Sequence, residues 1–182
     1  CRVADGFAIT PAGIPYRELA PSHIVTLRLE APVAATVPRP SSEWRMHAAI
    51  YRARPDVCAI VHTHSPRATA LAAAGRGIPP FHYMIALVGG DVRCTPYATF
   101  GTAELAESAV RGLQGRRACL LGNHGVMAIG STLARAHAVA VEVENLADEY
   151  LSMLSAGLVP QLLDDAEIQK VVALFADYGR LG

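Results

Sequence analysis

The sequence predicts an α/β fold of three layers, in which a mixed and largely antiparallel sheet lies between helices on both faces. Three observations support this prediction. Apolar runs of strand length alternate irregularly with helical patterns along the chain. The runs at residues 118–121 and 125–129 flank a short turn, which indicates a hairpin. A length of 182 residues is typical of one domain, so a single domain over residues 1–182 is expected.

In chain order, short apolar or alternating runs predict strands at residues 6–10, 24–29, 57–61, 118–121 and 125–129. Residues 31–40 contain three prolines and no periodicity, so they are predicted to form a loop. Helices are predicted to begin where side-chain oxygens can accept hydrogen bonds from free amides, or at a proline that suits the first turn. These starts are Ser41, Pro66, Thr102, Ser131 and Asp164.

Composition excludes several classes of protein. The chain is 52% hydrophobic and 18% charged, which is too apolar for a disordered protein. Sixteen basic and sixteen acidic residues cancel, so bulk charge predicts no nucleic-acid partner, and no apolar run reaches the length of a membrane span. Four cysteines without a CxxC pair predict buried free thiols in a reducing compartment, here the cytoplasm. The single lysine, Lys170, argues against Schiff-base chemistry.

Three histidines form the strongest candidate site. His62 and His64 end an apolar strand, where residues two apart point to the same face and can chelate one ion. His124 lies in another turn next to a strand. Three histidines with an open position are typical of catalytic zinc, whereas hydrogen-bonded or exposed histidines are the alternative. His47 is expected to be a solvated helix residue.

Glu43 has two interpretations on the residues alone. The favoured one is a first-turn acid that complements the helix dipole. The other is a catalytic acid or base beside an anion cradle, which Ser41 and Ser42 would form with the free amides at the helix start.

These motifs together resemble the class II aldolase and adducin family. The resemblance spans nearly the whole chain and is carried by ITPAGIPY at 9–16, PSSEW at 40–44, VHTH at 61–64, HYMIA at 82–86, PYATFGT at 96–102, NHG at 123–125 and DYG at 177–179. A Gly-rich phosphate loop and a helix that usually precede the first strand are absent, and Ala12 replaces a common hydroxyl residue. A missing N-terminal segment is therefore expected.

The resemblance implies a role for each candidate residue. His62, His64 and His124 resemble zinc ligands, and Glu43 resembles the catalytic carboxylate beside the zinc. The other implied roles are phosphate binding for Gly13, Ser41 and Ser42, proton transfer at the aldehyde oxygen for Tyr83, a wall of the aldehyde pocket for Phe100, and a reach into a neighbouring subunit's site for Tyr178.

The resemblance also implies an activity and an assembly. The expected reaction is reversible, zinc-dependent cleavage of L-fuculose 1-phosphate, or a related deoxyketose 1-phosphate, to dihydroxyacetone phosphate and lactaldehyde or a similar aldehyde. The expected assembly is a C4 homotetramer with sites between subunits. A pentulose 5-phosphate 4-epimerase, a methylthioribulose-phosphate dehydratase and a non-enzymatic adducin-like interaction module remain alternatives.

Overall fold

A small antiparallel sheet forms the N-terminal part of the fold. The structure, a computed structural model, describes residues 1–30 and 37–178, with side chains as far as Phe175. The small sheet has the order β1-β2-β3 and contains β1 (Arg2–Val3), β2 (Gly6–Ile9) and β3 (Val25–Arg28). Its inward residues, Phe7, Ile9, Val25 and Leu27, are buried. The two longer strands confirm the predictions at residues 6–10 and 24–29.

The second sheet is mixed and positions the candidate site. Its order is β4-β7-β6-β5, with β4 (Ala59–Thr63), β5 (Arg93–Thr95), β6 (Ala118–Leu121) and β7 (Gly125–Gly130). β7 runs antiparallel to both of its neighbours, whereas β5 and β6 are parallel. The turn between β6 and β7 therefore lies beside the carboxyl end of β4, where the first pair of histidines is found.

Five α-helices lie within the described residues, and the first four cover the two faces of the mixed sheet. They are α1 (Trp44–Ala53), α2 (Pro66–Ala73), α3 (Ala103–Gly112), α4 (Leu133–Ser155) and α5 (Asp165–Tyr178). A 3-10 helix at Tyr83–Leu87 packs against α5. Among the described residues, no helix combines the length and hydropathy that a membrane span requires.

Strand alternation divides the interior into two hydrophobic cores. Cys119, Leu121 and Met127 face α1 and α3, whereas Leu120 and Val126 face α2 and α4. Both sets are almost completely buried, because successive side chains of a strand point to opposite faces. The predicted three-layer α/β architecture is confirmed.

Several local predictions differ from the structure. The chain builds two sheets rather than one, and β5 and the 3-10 helix at Tyr83–Leu87 were not predicted. The α4 cap is Thr132 rather than Ser131, since the Thr132 side chain accepts from the Arg135 amide at 3.1 Å. Thr102 and Asp164 accept hydrogen bonds at the starts of α3 and α5 as predicted. Part of the loop predicted at 31–40 lies outside the described residues.

The cysteine prediction holds only in part. All four cysteines are unpaired, as expected. Cys119 is buried and Cys94 is partly buried, but Cys1 and Cys58 are exposed. Cys58 precedes β4 in the chain, so the apolar run that contains it does not all lie inside the sheet.

Candidate active site

Three histidine rings meet at one end of the mixed sheet. His62 lies in β4 opposite Met127 of β7, His64 follows the end of β4, and His124 lies in the turn between β6 and β7. The ring centroids are 4.9 to 5.0 Å apart. One nitrogen from each ring lies within 4.8 Å of the other two. The structure therefore brings together the three histidines that the spacing singled out.

The turn around His124 depends on its neighbours in the chain. A Cβ atom on Gly125 would lie 2.4 Å from the Thr63 carbonyl oxygen and 2.8 Å from His64 Cδ2. Asn123 adopts a positive φ of 53°, which asparagine tolerates better than most residues. The Asn-His-Gly sequence thus lets the turn approach the end of β4 closely enough for the rings to meet.

A backbone hydrogen bond fixes the tautomer of His62. Its Nδ1 atom lies 2.8 Å from the Val126 carbonyl oxygen, which can only accept. In the neutral ring Nδ1 therefore carries the proton, and Nε2 presents a lone pair. That lone pair faces His64 Nε2 at 3.1 Å. Metal-binding histidines in proteins are commonly oriented in this way: one ring nitrogen donates a hydrogen bond to a carbonyl oxygen, and the other ring nitrogen binds the metal.

The Glu43 carboxylate is aimed at the histidines. Glu43 directly precedes α1, but its side chain makes no capping hydrogen bond. Its Oε2 atom lies 3.0 Å from His62 Nε2 and 3.4 Å from His124 Nε2. The side chain is 12% exposed, and Oε2 is buried without a hydrogen-bond partner. The helix-dipole interpretation therefore does not describe where this carboxylate points.

These donors fit a divalent cation. The Glu43 oxygen and the neutral His62 nitrogen are both acceptors, so their contact is repulsive unless a positive charge lies nearby. A cation among the three imidazoles would pair with the unpartnered Oε2 and with the ring lone pairs. Histidine and carboxylate donors suit zinc and several other first-row metals. The three histidines could therefore hold the metal, with Glu43 beside it.

The local charges favour the metal-binding protonation states. Burial alone would raise the pKa of Glu43, but its contact with His62 and the positive charges that the three histidines carry when protonated lower it below its usual value. Burial lowers the pKa values of His64 and His124, and the charge of His62 adds to this effect. The site therefore favours an ionised Glu43 carboxylate and neutral His64 and His124 rings at neutral pH, and these are the forms that bind metals.

The predicted phosphate-binding residues share a cavity with the histidines. This cavity has a volume of about 570 Å³, and its walls include Gly13, Ser41, Ser42, Glu43, His62, His64, Phe100 and His124. Gly13 has a positive φ of 77° and open space around it. The Ser41 hydroxyl accepts from the Glu43 amide at 3.3 Å, whereas Ser42 is exposed. The predicted serine cap of α1 is thus wrong, because Ser41 bonds the residue before the helix.

Tyr83 does not line this cavity. Tyr83 opens the 3-10 helix Tyr83–Leu87 and is 51% exposed. Its ring contacts the rings of His82 and Phe175 rather than the metal-site histidines. Tyr178 ends α5, and its side chain lies outside the described part of the chain. The structure therefore brings eight of the ten predicted site residues together and leaves Tyr83 apart from them.

Sequence reasoning overlooked several residues of the cavity wall, three of which carry hydroxyl groups, and it misjudged His47. Thr10, Tyr16 and Tyr97 also line the cavity wall. The family-like segments at 9–16 and 96–102 contained all three, but nothing in their spacing separates lining residues from framework. His47, expected to be solvated, is partly buried, because α1 packs this face toward β4.

The comparisons place this fold and site in one family. The family model of the class II aldolase and adducin N-terminal domain matches residues 1–151. The chain therefore belongs to the class II aldolase and adducin family.

Its similar proteins are named as sugar-phosphate aldolases. The 5-methylthioribulose-1-phosphate/5-deoxyribulose-1-phosphate aldolase of Rhodospirillum rubrum is 48% identical over 180 residues, which cover 98% of this chain and 80% of the relative. The L-fuculose phosphate aldolase of Escherichia coli K12 is 45% identical over 179 residues, which cover 98% and 83%. A solved L-fuculose 1-phosphate aldolase has a TM-score of 0.89 at 42% identity, with 93% of this chain and 79% of that chain covered. The chain is therefore an enzyme of the class II aldolase kind, a class of metal-dependent lyases.

Proposed function

We propose that this enzyme is a zinc-dependent aldolase that reversibly cleaves a deoxyketose 1-phosphate to dihydroxyacetone phosphate and a short aldehyde. L-fuculose 1-phosphate, which gives lactaldehyde, is the first substrate to test. 5-Deoxyribulose 1-phosphate is the second, because the Rhodospirillum rubrum relative carries that compound in its name. Residues 1–182 would form one domain of this kind.

The position of the Glu43 carboxylate is the observation that carries the proposal. A buried carboxylate oxygen without a hydrogen-bond partner faces three imidazoles inside an open cavity. A purely structural acid would bond an amide or an arginine instead. The arrangement supports a base held beside the reacting carbon of a substrate whose oxygen atoms a metal would bind.

Carbon–carbon cleavage leaves negative charge on the triose fragment, and a zinc ion held by His62, His64 and His124 would stabilise that charge as a Lewis acid. In the cleavage direction, Glu43 would first take up a proton, which replaces the one released from the cleaved hydroxyl group, and would then donate it to C3 of the triose. In the synthetic direction, the same carboxylate would remove that proton. The lowered pKa of Glu43 keeps it ionised and ready to accept a proton at neutral pH.

Another part of the cavity wall supports phosphate binding. The Ser41 and Ser42 side chains and the backbone at Gly13 lie on the same cavity as Glu43. Hydroxyl groups and exposed backbone amides before a helix are suited to an anion. A phosphate held there would place the sugar chain toward the histidines, with Phe100 beside the aldehyde end.

The exposed side chain of Tyr83 supports an active site shared between subunits. Tyr83 lies outside the cavity of its own chain, so proton transfer at the aldehyde oxygen requires it to reach a neighbouring subunit's site. Tyr178, at the end of α5, would act in the same way. This reasoning favours a homotetramer that works in the cytoplasm on a free phosphorylated sugar, without nucleic acid or membrane partners.

Proton exchange on dihydroxyacetone phosphate tests the proposal without knowledge of the aldehyde. Metal-loaded protein is incubated with the triose phosphate in deuterium oxide, and the C3 hydrogens are followed by NMR. We expect stereospecific loss of one hydrogen, abolished by a chelator and restored by zinc. An aldehyde screen that begins with lactaldehyde would then define the substrate.

Two other outcomes would contradict the proposal. Bound zinc without exchange would favour an epimerase or dehydratase on the same scaffold. The absence of both zinc and exchange would contradict the metal site itself.

A further inference from the structure

Helix α2 connects two of the three metal-site histidines. His64 lies two residues before its first residue, Pro66. At its other end, the Ala72 and Ala73 carbonyl oxygens accept hydrogen bonds from the backbone and side-chain nitrogens of Asn123, at 3.1 and 3.4 Å. Asn123 immediately precedes His124. The position of α2 therefore sets the relative position of two ligands that come from distant parts of the chain.

The start of α2 has no cap of its own. The Ser65 side chain makes no capping hydrogen bond, and its hydroxyl oxygen is buried without a partner. Pro66 has no amide hydrogen to donate. The free amides of the first turn are those of Arg67 and Ala68, and an uncapped first turn frays.

Glu144, on α4, supplies the missing cap from a distance of 76 residues in sequence. Its Oε1 accepts from the Arg67 amide at 2.8 Å, and its Oε2 accepts from the Ala68 amide at 2.9 Å. The carboxylate also complements the positive end of the helix dipole. Both oxygens are thus committed to the segment that directly follows His64.

His64 has little other support. The residue is exposed, and the hydrogen bond of its ring within the described structure is to His62 Nε2. Its orientation therefore depends on the backbone between the end of β4 and the start of α2. Glu144 fixes the first turn of α2 to α4 by its two hydrogen bonds. It therefore restrains the position of His64, which lies two residues before α2.

We propose that Glu144 is a positioning residue for the metal centre, which holds His64 in its metal-binding orientation by capping α2. The inference rests on the proposed metal site. It concerns metal affinity rather than the chemical step, since Glu144 contacts amides and no reacting group. Removal of such indirect support from a metal ligand costs about 10- to 100-fold in affinity.

Glu144→Ala tests this inference, with Asp148→Asn as the matched control. Asp148 also joins α4 to α2, through an exposed 2.9 Å ion pair with the Arg67 side chain, and it leaves the α2 amides untouched. Zinc dissociation constants are measured by competition with a chromophoric chelator, and the cobalt-substituted proteins by their visible spectra. We expect Glu144→Ala to weaken zinc binding about 10-fold or more and alter the cobalt spectrum. Asp148→Asn should match the wild type.

Thermal unfolding of the metal-free proteins separates positioning from stability. A lower unfolding temperature for Glu144→Ala with unchanged zinc affinity and cobalt spectrum would overturn the inference. If that variant does not fold, Glu144→Gln decides, because it keeps one oxygen acceptor and should show an intermediate loss of affinity. Absence of zinc binding by the wild type would instead overturn the proposed function, and with it this inference.

Discussion

The metal corner and the tyrosine corner of the molecule are built differently. The metal corner consists of His62, His64, His124 and Glu43, and its His62, His124 and Glu43 side chains are 12 to 13% exposed. The tyrosine corner consists of Tyr83, which is 51% exposed, and the last turn of α5. The first corner is oriented by contacts within one chain, whereas the ring of Tyr83 packs against the rings of His82 and Phe175.

This difference indicates which steps one chain can perform. Metal binding and proton transfer at the triose carbon need only groups that one chain brings together. Proton transfer at the aldehyde oxygen needs a group that the same chain leaves outside the cavity. The two corners should therefore respond differently to substitution and to subunit mixing.

Glu43→Gln should give the largest effect. The amide keeps the shape of the side chain but cannot accept the C3 proton, so exchange on dihydroxyacetone phosphate should fall about 1,000-fold. The three histidines remain, so zinc should still bind. NMR exchange and elemental analysis for zinc measure the two quantities on one sample. Full exchange in the zinc-loaded variant would exclude Glu43 as the base.

Tyr83→Phe should give a smaller effect on a different step. Sugar-phosphate cleavage should fall about 100-fold, because the phenolic proton is lost. Exchange on dihydroxyacetone phosphate should persist, because that step involves the metal corner alone. An equal fall in both rates would contradict the division between the corners.

Mixed oligomers sharpen the same prediction. When the Glu43→Gln and Tyr83→Phe chains are co-expressed, some interfaces join an intact Glu43 to an intact Tyr83 from the neighbour. Random assembly then restores up to about a quarter of wild-type cleavage, as expected for a head-to-tail interface. Co-expression of Glu43→Gln with a chain that carries both substitutions is the control, and it should stay inactive. If the mixture of Glu43→Gln and Tyr83→Phe chains recovers no cleavage activity, Tyr83 does not act in the site of a neighbouring subunit. It would then act in the site of its own chain or take no part in catalysis.

Local sequence patterns predicted the metal corner better than the tyrosine corner. The period-two placement of His62 and His64 and the turn at Asn123–His124 are local features, and pairing of β4 with β7 brings them together. Glu43 was ambiguous, because the first turn of a helix suits an acid whether or not it reaches a metal. Its direction depends on the distance between α1 and β4, which no local pattern encodes.

Other features depend on contacts between distant segments. The sequence pattern of α4 predicts which residues form its buried apolar face, but not what its polar residues contact. The hydrogen bonds of Glu144 to the start of α2 therefore could not be predicted from the sequence. The short β5 was missed because three residues carry too little periodicity for a strand. The small sheet was not separated from the mixed one, because strand patterns do not specify which strands pair.

The pH dependence of stability gives the smallest predicted effect. It concerns His47, which lies on α1 one turn after Glu43. Burial lowers the pKa of His47 to about 3, and the charge of His62 adds to this effect. An unfolded histidine titrates near 6.5. As the pH falls from about 6.5 toward 3, the unfolded chain therefore binds a proton that the folded protein excludes, and the free energy of unfolding decreases. This contribution is fully present above pH 6.5.

One proton changes the free energy of unfolding by at most about 1.4 kcal/mol per pH unit. Urea unfolding of the metal-free protein between pH 7 and pH 5 should show a decrease in stability, and His47→Gln should make that decrease smaller, although His64 and His124 contribute in the same direction. His137→Gln is the matched control, because His137 is an exposed histidine on α4. An equal slope in the wild type and in His47→Gln would show that the ring behind Glu43 takes up protons in the folded state. In that case burial would not keep the His47 ring neutral. The metal corner would then not differ from the tyrosine corner in excluding protons from a buried group.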